Sequence, residues 1–174
     1  SVIHRALMEI SREGADAWDA ARLHRRRDAW HAMLASLGIP APELPAALAR
    51  VSESLERVLA DDRGRWLLDP GHEAARSELA LSGMDSDVLV NVVIDRSFVD
   101  ADGVRWIVDY KSGRHEGSDT TAFLDREQQR YREQLERYGR LMSAMDPRPI
   151  RLGLYFPALG GWRAWSFRPD REAP

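Results

Sequence analysis

Apolar residues recur at helical spacing over the first 37 positions, at Ile3, Leu7, Ile10, Trp18, Ala21, Trp30, Met33, Leu34 and Leu37. That spacing predicts one long helix, or two stacked ones interrupted at Gly14, ended by Gly38 with Pro40 and Pro42 behind it. A second helix is predicted from about 45 to 59, with Leu48, Val51, Leu55, Val58 and Leu59 on one side. Residues 63–71 read as a loop carrying the apolar patch Trp66-Leu67-Leu68. The period then changes to that of strands, over about 73–81, 88–99 and 104–111. A polar, glycine-containing loop over 112–121 precedes a charged helix over 123–145. Its inner stripe is Leu124, Gln128, Tyr131, Leu135, Tyr138, Leu141 and Met142. Asp146-Pro147-Arg148-Pro149 breaks it, and strands at 150–156 and 162–167 form a hairpin around Gly160-Gly161. Helices, three strands, a helix and two strands predict a mixed α/β fold with an N-terminal helical segment. One domain over 1–174 is expected, with a helical part over 1–62 and an α/β core over 73–168.

The chemistry concentrates on the hairpin of the second and third strands. Asp109 and Lys111 are two residues apart, so on a strand they leave the same face. If Ala101-Asp102-Gly103 closes a three-residue loop with Gly103 left-handed, Val99 lies opposite Arg105, and Asp95 falls opposite Asp109. A two-residue loop would put the two acids on opposite faces. Two carboxylates and an ammonium among apolar strand residues cost too much to be casual core.

Composition sharpens this reading at one point. All but one of the 25 basic residues are arginine, and the exception is Lys111. Lysine is a compact ammonium able to approach a single oxygen or water, whereas arginine is a planar fork. Two hard carboxylates, with the carbonyl of Tyr110 between them and Lys111, suit Mg²⁺ or Mn²⁺. With 44% hydrophobic and 30% charged residues in 174, the chain is globular. Its net charge of -3 does not advertise a nucleic-acid binder, although carboxylate-rich nuclease sites can hide a local basic groove. Cysteine is absent, which removes disulfides and thiolate metal sites and is compatible with a cytoplasmic location. No apolar run approaches membrane-spanning length, and no signal-peptide pattern opens the chain.

Ile94-Asp95-Arg96 followed by Asp109-Tyr110-Lys111 resembles the core of the PD-(D/E)XK nucleases, where a strand acid precedes a D/E-x-K signature on the next strand. Tyr131-Arg132-Glu133-Gln134-Leu135-Glu136-Arg137-Tyr138 resembles the Y-x-x-Q-L-x-x-Y helix of RecB-type nuclease domains, found at the C-termini of AddA and RecB helicase–nucleases. Ile3-His4-Arg5-Ala6-Leu7 is similar to that family's histidine-bearing helix, with Met8 where the family has Glu and Val92 where it often has Gly. The resemblance implies a restriction-endonuclease-like sheet and Mg²⁺- or Mn²⁺-dependent hydrolysis of DNA, with single-stranded ends as substrate. It gives Asp95, Asp109, Lys111 and Gln134 catalytic roles and His4, Asp95 and Asp109 metal-binding ones, with Tyr131 and Tyr138 in support; beside it, the residues themselves offer the Tyr110 carbonyl as a further metal ligand and the strand acid Glu78 as a supporting group. It further implies a helicase in the same polypeptide, a second subunit, and a role in double-strand-break repair. The abrupt opening suits a piece excised from such a protein. The rival readings are a non-cleaving DNA-binding or scaffold domain of the same fold, and a stand-alone exonuclease.

Overall fold

A computed structural model describes residues 1–115 and 117–169 and divides the chain into two compact units. The first comprises residues 1–70 with 112–114 and 156–160. It holds α1 (Val2–Glu13), α2 (Ala20–Ser36), α3 (Leu44–Ala60) and α4 (Asp62–Leu67). Gly14, at φ 87°, ends α1 as the sequence suggests, so the first apolar stretch is two helices. Gly38, at φ 84°, ends α2: its N–H donates to the Ala35 carbonyl, and the Ile39 N–H donates to that of Leu34. This is the paired closure that leaves the C-terminal apolar residue against the last turn. Ile10, Trp30, Leu55 and Val58 are at most 1% exposed and form the core of this unit.

The expected loop over 63–71 is corrected here. Asp61 accepts from the backbone N–H groups of Arg63 and Gly64 and starts α4, which buries Leu67. The cap supplies the two acceptors that a helix of six residues most needs. So short a helix is almost all terminus, and its apolar pair leaves no measurable period.

The second unit contains residues 71–111, 115 and 117–155 with the described residues from Gly161 on. Its strands are β1 (Glu73–Asp85), β2 (Val88–Val99), β3 (Arg105–Tyr110), β4 (Ile150–Phe156) and β5 (Gly161–Ser166), in spatial order β1-β2-β3-β4-β5. β1, β2 and β3 pair antiparallel, whereas β4 runs parallel to β3. Joining parallel neighbours requires a crossover, and α5 (Thr120–Ser143), capped by Asp119, provides it. The architecture is the mixed α/β arrangement expected from the order of periodicities. Among the described residues no helix is long and apolar enough to cross a membrane.

Two contacts tie α5 to the long β1–β2 hairpin. The carboxylate of Asp85 accepts from Arg137 at 2.9 Å and from Arg140 at 2.7 Å, and Leu141 packs against Gly83. On the far side of the sheet order, Trp162 of β5 lies on Gly153 of β4, where an added Cβ would stand 2.3 Å from the indole ring. Gly153→Ala is therefore expected to destabilise by about 1–3 kcal/mol through overpacking, because a rigid ring cannot yield as a flexible chain would. Thermal unfolding should show this as a lowered midpoint with unchanged far-UV circular dichroism at room temperature.

Candidate active site

The hairpin loop closes as its glycine predicts. Gly103 is left-handed at φ 75°, and the Asp100 N–H donates to the Val104 carbonyl, leaving Ala101-Asp102-Gly103 as the loop. Val99 pairs with Arg105 and Arg96 with Val108, so Asp95 and Asp109 are the next positions of the two strands, and their carboxylates stand close enough to repel one another. The loop is fastened by Asp100. One carboxylate oxygen accepts from the N–H groups of Asp102 and Val104, and the other accepts from the Trp106 indole at 2.8 Å. Burial would lift this carboxyl, but those donors outweigh it and hold it below the usual carboxylate range.

The β2–β3 ladder stops at Arg96 and Val108, although both strands run on. Beyond that point β2 stays with β1, and β3 stays with β4 as far as Tyr110 and Tyr155. The Tyr110 N–H, no longer served by a β2 carbonyl, donates instead to the Asp95 carboxylate at 2.7 Å. The acids thus sit where the sheet parts, at the carboxyl end of β3 and beside the switch from antiparallel to parallel pairing. Such openings are where α/β sheets bind ligands.

Asp109 is 5% exposed. Burial first, and the neighbouring Asp95 charge second, push its carboxyl up to about 6, against the pull of Lys111. Lys111 Nζ lies 2.5 Å from Asp109 Oδ2, but off the hydrogen-bonding direction, so that buried oxygen has an ionic neighbour and no aligned donor. The ammonium also donates to Gln134 Oε1 at 3.2 Å and stands 3.8 Å above the Tyr131 ring. Gln134 Nε2 in turn donates to the Tyr138 hydroxyl at 2.7 Å, so both ends of the amide are occupied. Burial raises the Tyr138 phenol above its ordinary value and keeps it protonated.

The structure thus gathers Asp95, Asp109, Lys111, Gln134, Tyr131 and Tyr138. Tyr110 contributes its backbone, and its phenol is buried, which raises it far above the usual range. Glu78 lies between Ser77, paired with Arg96, and Leu79, paired with Ile94, so its register position faces Asp95. It is exposed and takes φ 52° inside a strand, a conformation that re-aims its side chain. His4 belongs to the helical unit, on α1, with its Nδ1 2.7 Å from the Ser1 hydroxyl. Asp85, absent from the sequence-derived candidates, clamps Arg137 and Arg140 and so fixes the helix that carries Gln134. Its one sequence signal, two arginines three apart on a helix, does not name a partner.

Among the described residues no three His, Cys, Asp or Glu side chains converge as a ready metal cage. Two mutually repelling carboxylates, one with an oxygen lacking an aligned donor, nevertheless fit a hard divalent ion that keeps most of its waters. Asp95 and Asp109 would hold it.

A mixed sheet that opens beside two acids, with a lysine held at its mouth by a helix, is the framework of a nuclease-type domain. The family comparison agrees: the model of the PD-(D/E)XK nuclease superfamily matches residues 1–169, and the chain belongs to that superfamily. Its members are metal-dependent nucleases. A solved structure described as "Crystal structure of SSO0001" aligns at 14% identity and TM-score 0.36, over 84% of this chain and 62% of that one. No curated protein matches.

Proposed function

We propose that this domain is a Mg²⁺- or Mn²⁺-dependent deoxyribonuclease that hydrolyses phosphodiesters of single-stranded DNA. We place it as the nuclease part of a RecB- or AddA-like helicase–nuclease that processes double-strand breaks with a second subunit. The observation that carries the cleavage reading is the closeness of the Asp95 and Asp109 carboxylates where the strands part, with Lys111 held beside Asp109 by Gln134. The helicase context rests on the resemblance of Tyr131–Tyr138 to the RecB-type helix.

A bound divalent ion would polarise the phosphoryl group and lower the pKa of a water. The protein's own contributions are separable from that. Asp95 and Asp109 supply the anionic oxygens, and the Tyr110 N–H fixes one Asp95 oxygen. Lys111 Nζ is set to hold the attacking water and to offset charge gathering on the phosphoryl oxygens. Water oxygen bonds to phosphorus as the ester P–O bond breaks, and the departing oxygen takes up a proton. Gln134 and Tyr138 limit where the ammonium can swing.

Two measurements test the reading. Calorimetric titration with Mn²⁺ should show binding to the wild type and its loss in Asp95→Ala. A Mn²⁺-dependent assay on single-stranded DNA should show cleavage by the wild type and none by Asp109→Ala. Equal cleavage by the variant would discard the enzyme, and binding of DNA without cleavage by the wild type would favour a scaffold role.

A further inference from the structure

The helical unit carries a hollow of about 240 Å³ that the acidic site does not account for. Leu34, Ile39 and Val51 wall it, and the closure of α2 builds it, since the bond from Ile39 to Leu34 folds those two side chains together. Leu37 stands on its rim, 65% exposed, and also borders a second hollow of about 150 Å³ that contains Arg5. Arg50 and Arg114 line the first. Among the described residues, Arg5, Arg50 and Arg114 are all exposed and none has a carboxylate partner, whereas many other arginines of this chain are paired.

Apolar walls under unpaired guanidinium groups fit a ligand with an apolar body attached to an anion. A nucleotide is such a body. We propose that this hollow is a nucleotide subsite for single-stranded DNA, taking an unpaired base against Leu34, Ile39 and Val51, with Arg50 and Arg114 on flanking phosphates. Leu37 is the edge over which the strand passes towards Arg5. The subsite rests on the nuclease reading and adds to it a physical cause for single-strand preference: a base held in a duplex has no free edge to enter.

Fluorescence anisotropy in Ca²⁺ tests this, with labelled oligothymidylate, an abasic strand of equal length, and a duplex. Arg50→Ala and Arg114→Ala should each weaken oligothymidylate binding and reduce the slope of log affinity against log salt by about 0.7. Leu37→Ser should remove most of the wild type's preference for oligothymidylate over the abasic strand, expected to be about fivefold from apolar burial, and leave duplex binding unchanged. All three residues are exposed, so the variants should fold, and their circular dichroism and melting points check that they do. If the salt slopes and the base preference are unchanged while the wild type still cuts DNA in Mn²⁺, the subsite is overturned and the nuclease reading survives. If the wild type neither binds nor cuts single-stranded DNA, both fall.

Discussion

Asp109→Asn should abolish cleavage and yet make the folded protein more stable at neutral pH. The Asp109 carboxyl titrates near 6 when folded and near 3.8 when unfolded. The folded state therefore binds the proton more tightly, and between about pH 4 and 6 it holds more protons than the unfolded chain. Stability falls as pH rises through that window, and above it the loss is complete, at about 3 kcal/mol. Asparagine carries no charge to bury or repel, so the variant should lack this slope. The Lys111 attraction is already contained in that shift, so the net gain is expected to be on the order of 1–3 kcal/mol at pH 7.5 and near zero at pH 4. Urea unfolding of both proteins at the two pH values, without divalent ions, measures it. A variant less stable at pH 7.5 would mean that the Lys111 attraction outweighs burial and the Asp95 charge together. Mn²⁺ should then reverse the order, stabilising the wild type by mass action and leaving the variant unmoved.

That opposition explains why the acids were legible in sequence. A charge that costs folding energy stands out against apolar strands, and Asp95, Asp109 and Lys111 did so, the last two by their spacing of two residues. Their shared face depended on a three-residue loop with Gly103 left-handed, one of two lengths that the sequence left open. What sequence could not supply was long-range partnering. Nothing local says that the β2–β3 ladder stops at Arg96, or that the Asp95 carboxylate then takes the Tyr110 N–H. Nothing local matches Asp85 with Arg137 and Arg140, or turns the backbone at Glu78 to φ 52°. The strand expected over 73–81 runs on to Asp85, since Ala80, Ser82 and Met84 face outward and are not cleanly polar, which blurs the alternation over its second half. The sharp features came from local geometry and the blurred ones from tertiary choice.

The hardest demand falls on Lys111, and Lys111→Arg should separate charge from position. Arginine is accepted at every other basic site in the chain, so neither its charge nor its supply is at issue. The side chain of Lys111 is 17% exposed, confined by Asp109 Oδ2 at 2.5 Å, Gln134 Oε1 at 3.2 Å and the Tyr131 ring at 3.8 Å. A guanidinium is broader, and its fork would pair with the Asp109 carboxylate and turn its donors away from the water that a point ammonium can hold. Mn²⁺ affinity should stay within a few-fold of wild type, since the charge beside the carboxylates is kept. Single-stranded DNA affinity should hold likewise. The rate of cleavage should fall by about 10²–10³, the usual cost of losing one aimed donor to a developing negative charge. Single-turnover kinetics with saturating enzyme read the chemical step without the binding step. If the variant keeps cleavage within tenfold, Lys111 acts as a diffuse counter-charge, and the chain from Tyr138 through Gln134 to its ammonium serves packing alone. If the rate falls while both affinities hold, the position of that single nitrogen is what the helix, its clamp at Asp85 and the parted strands are built to fix.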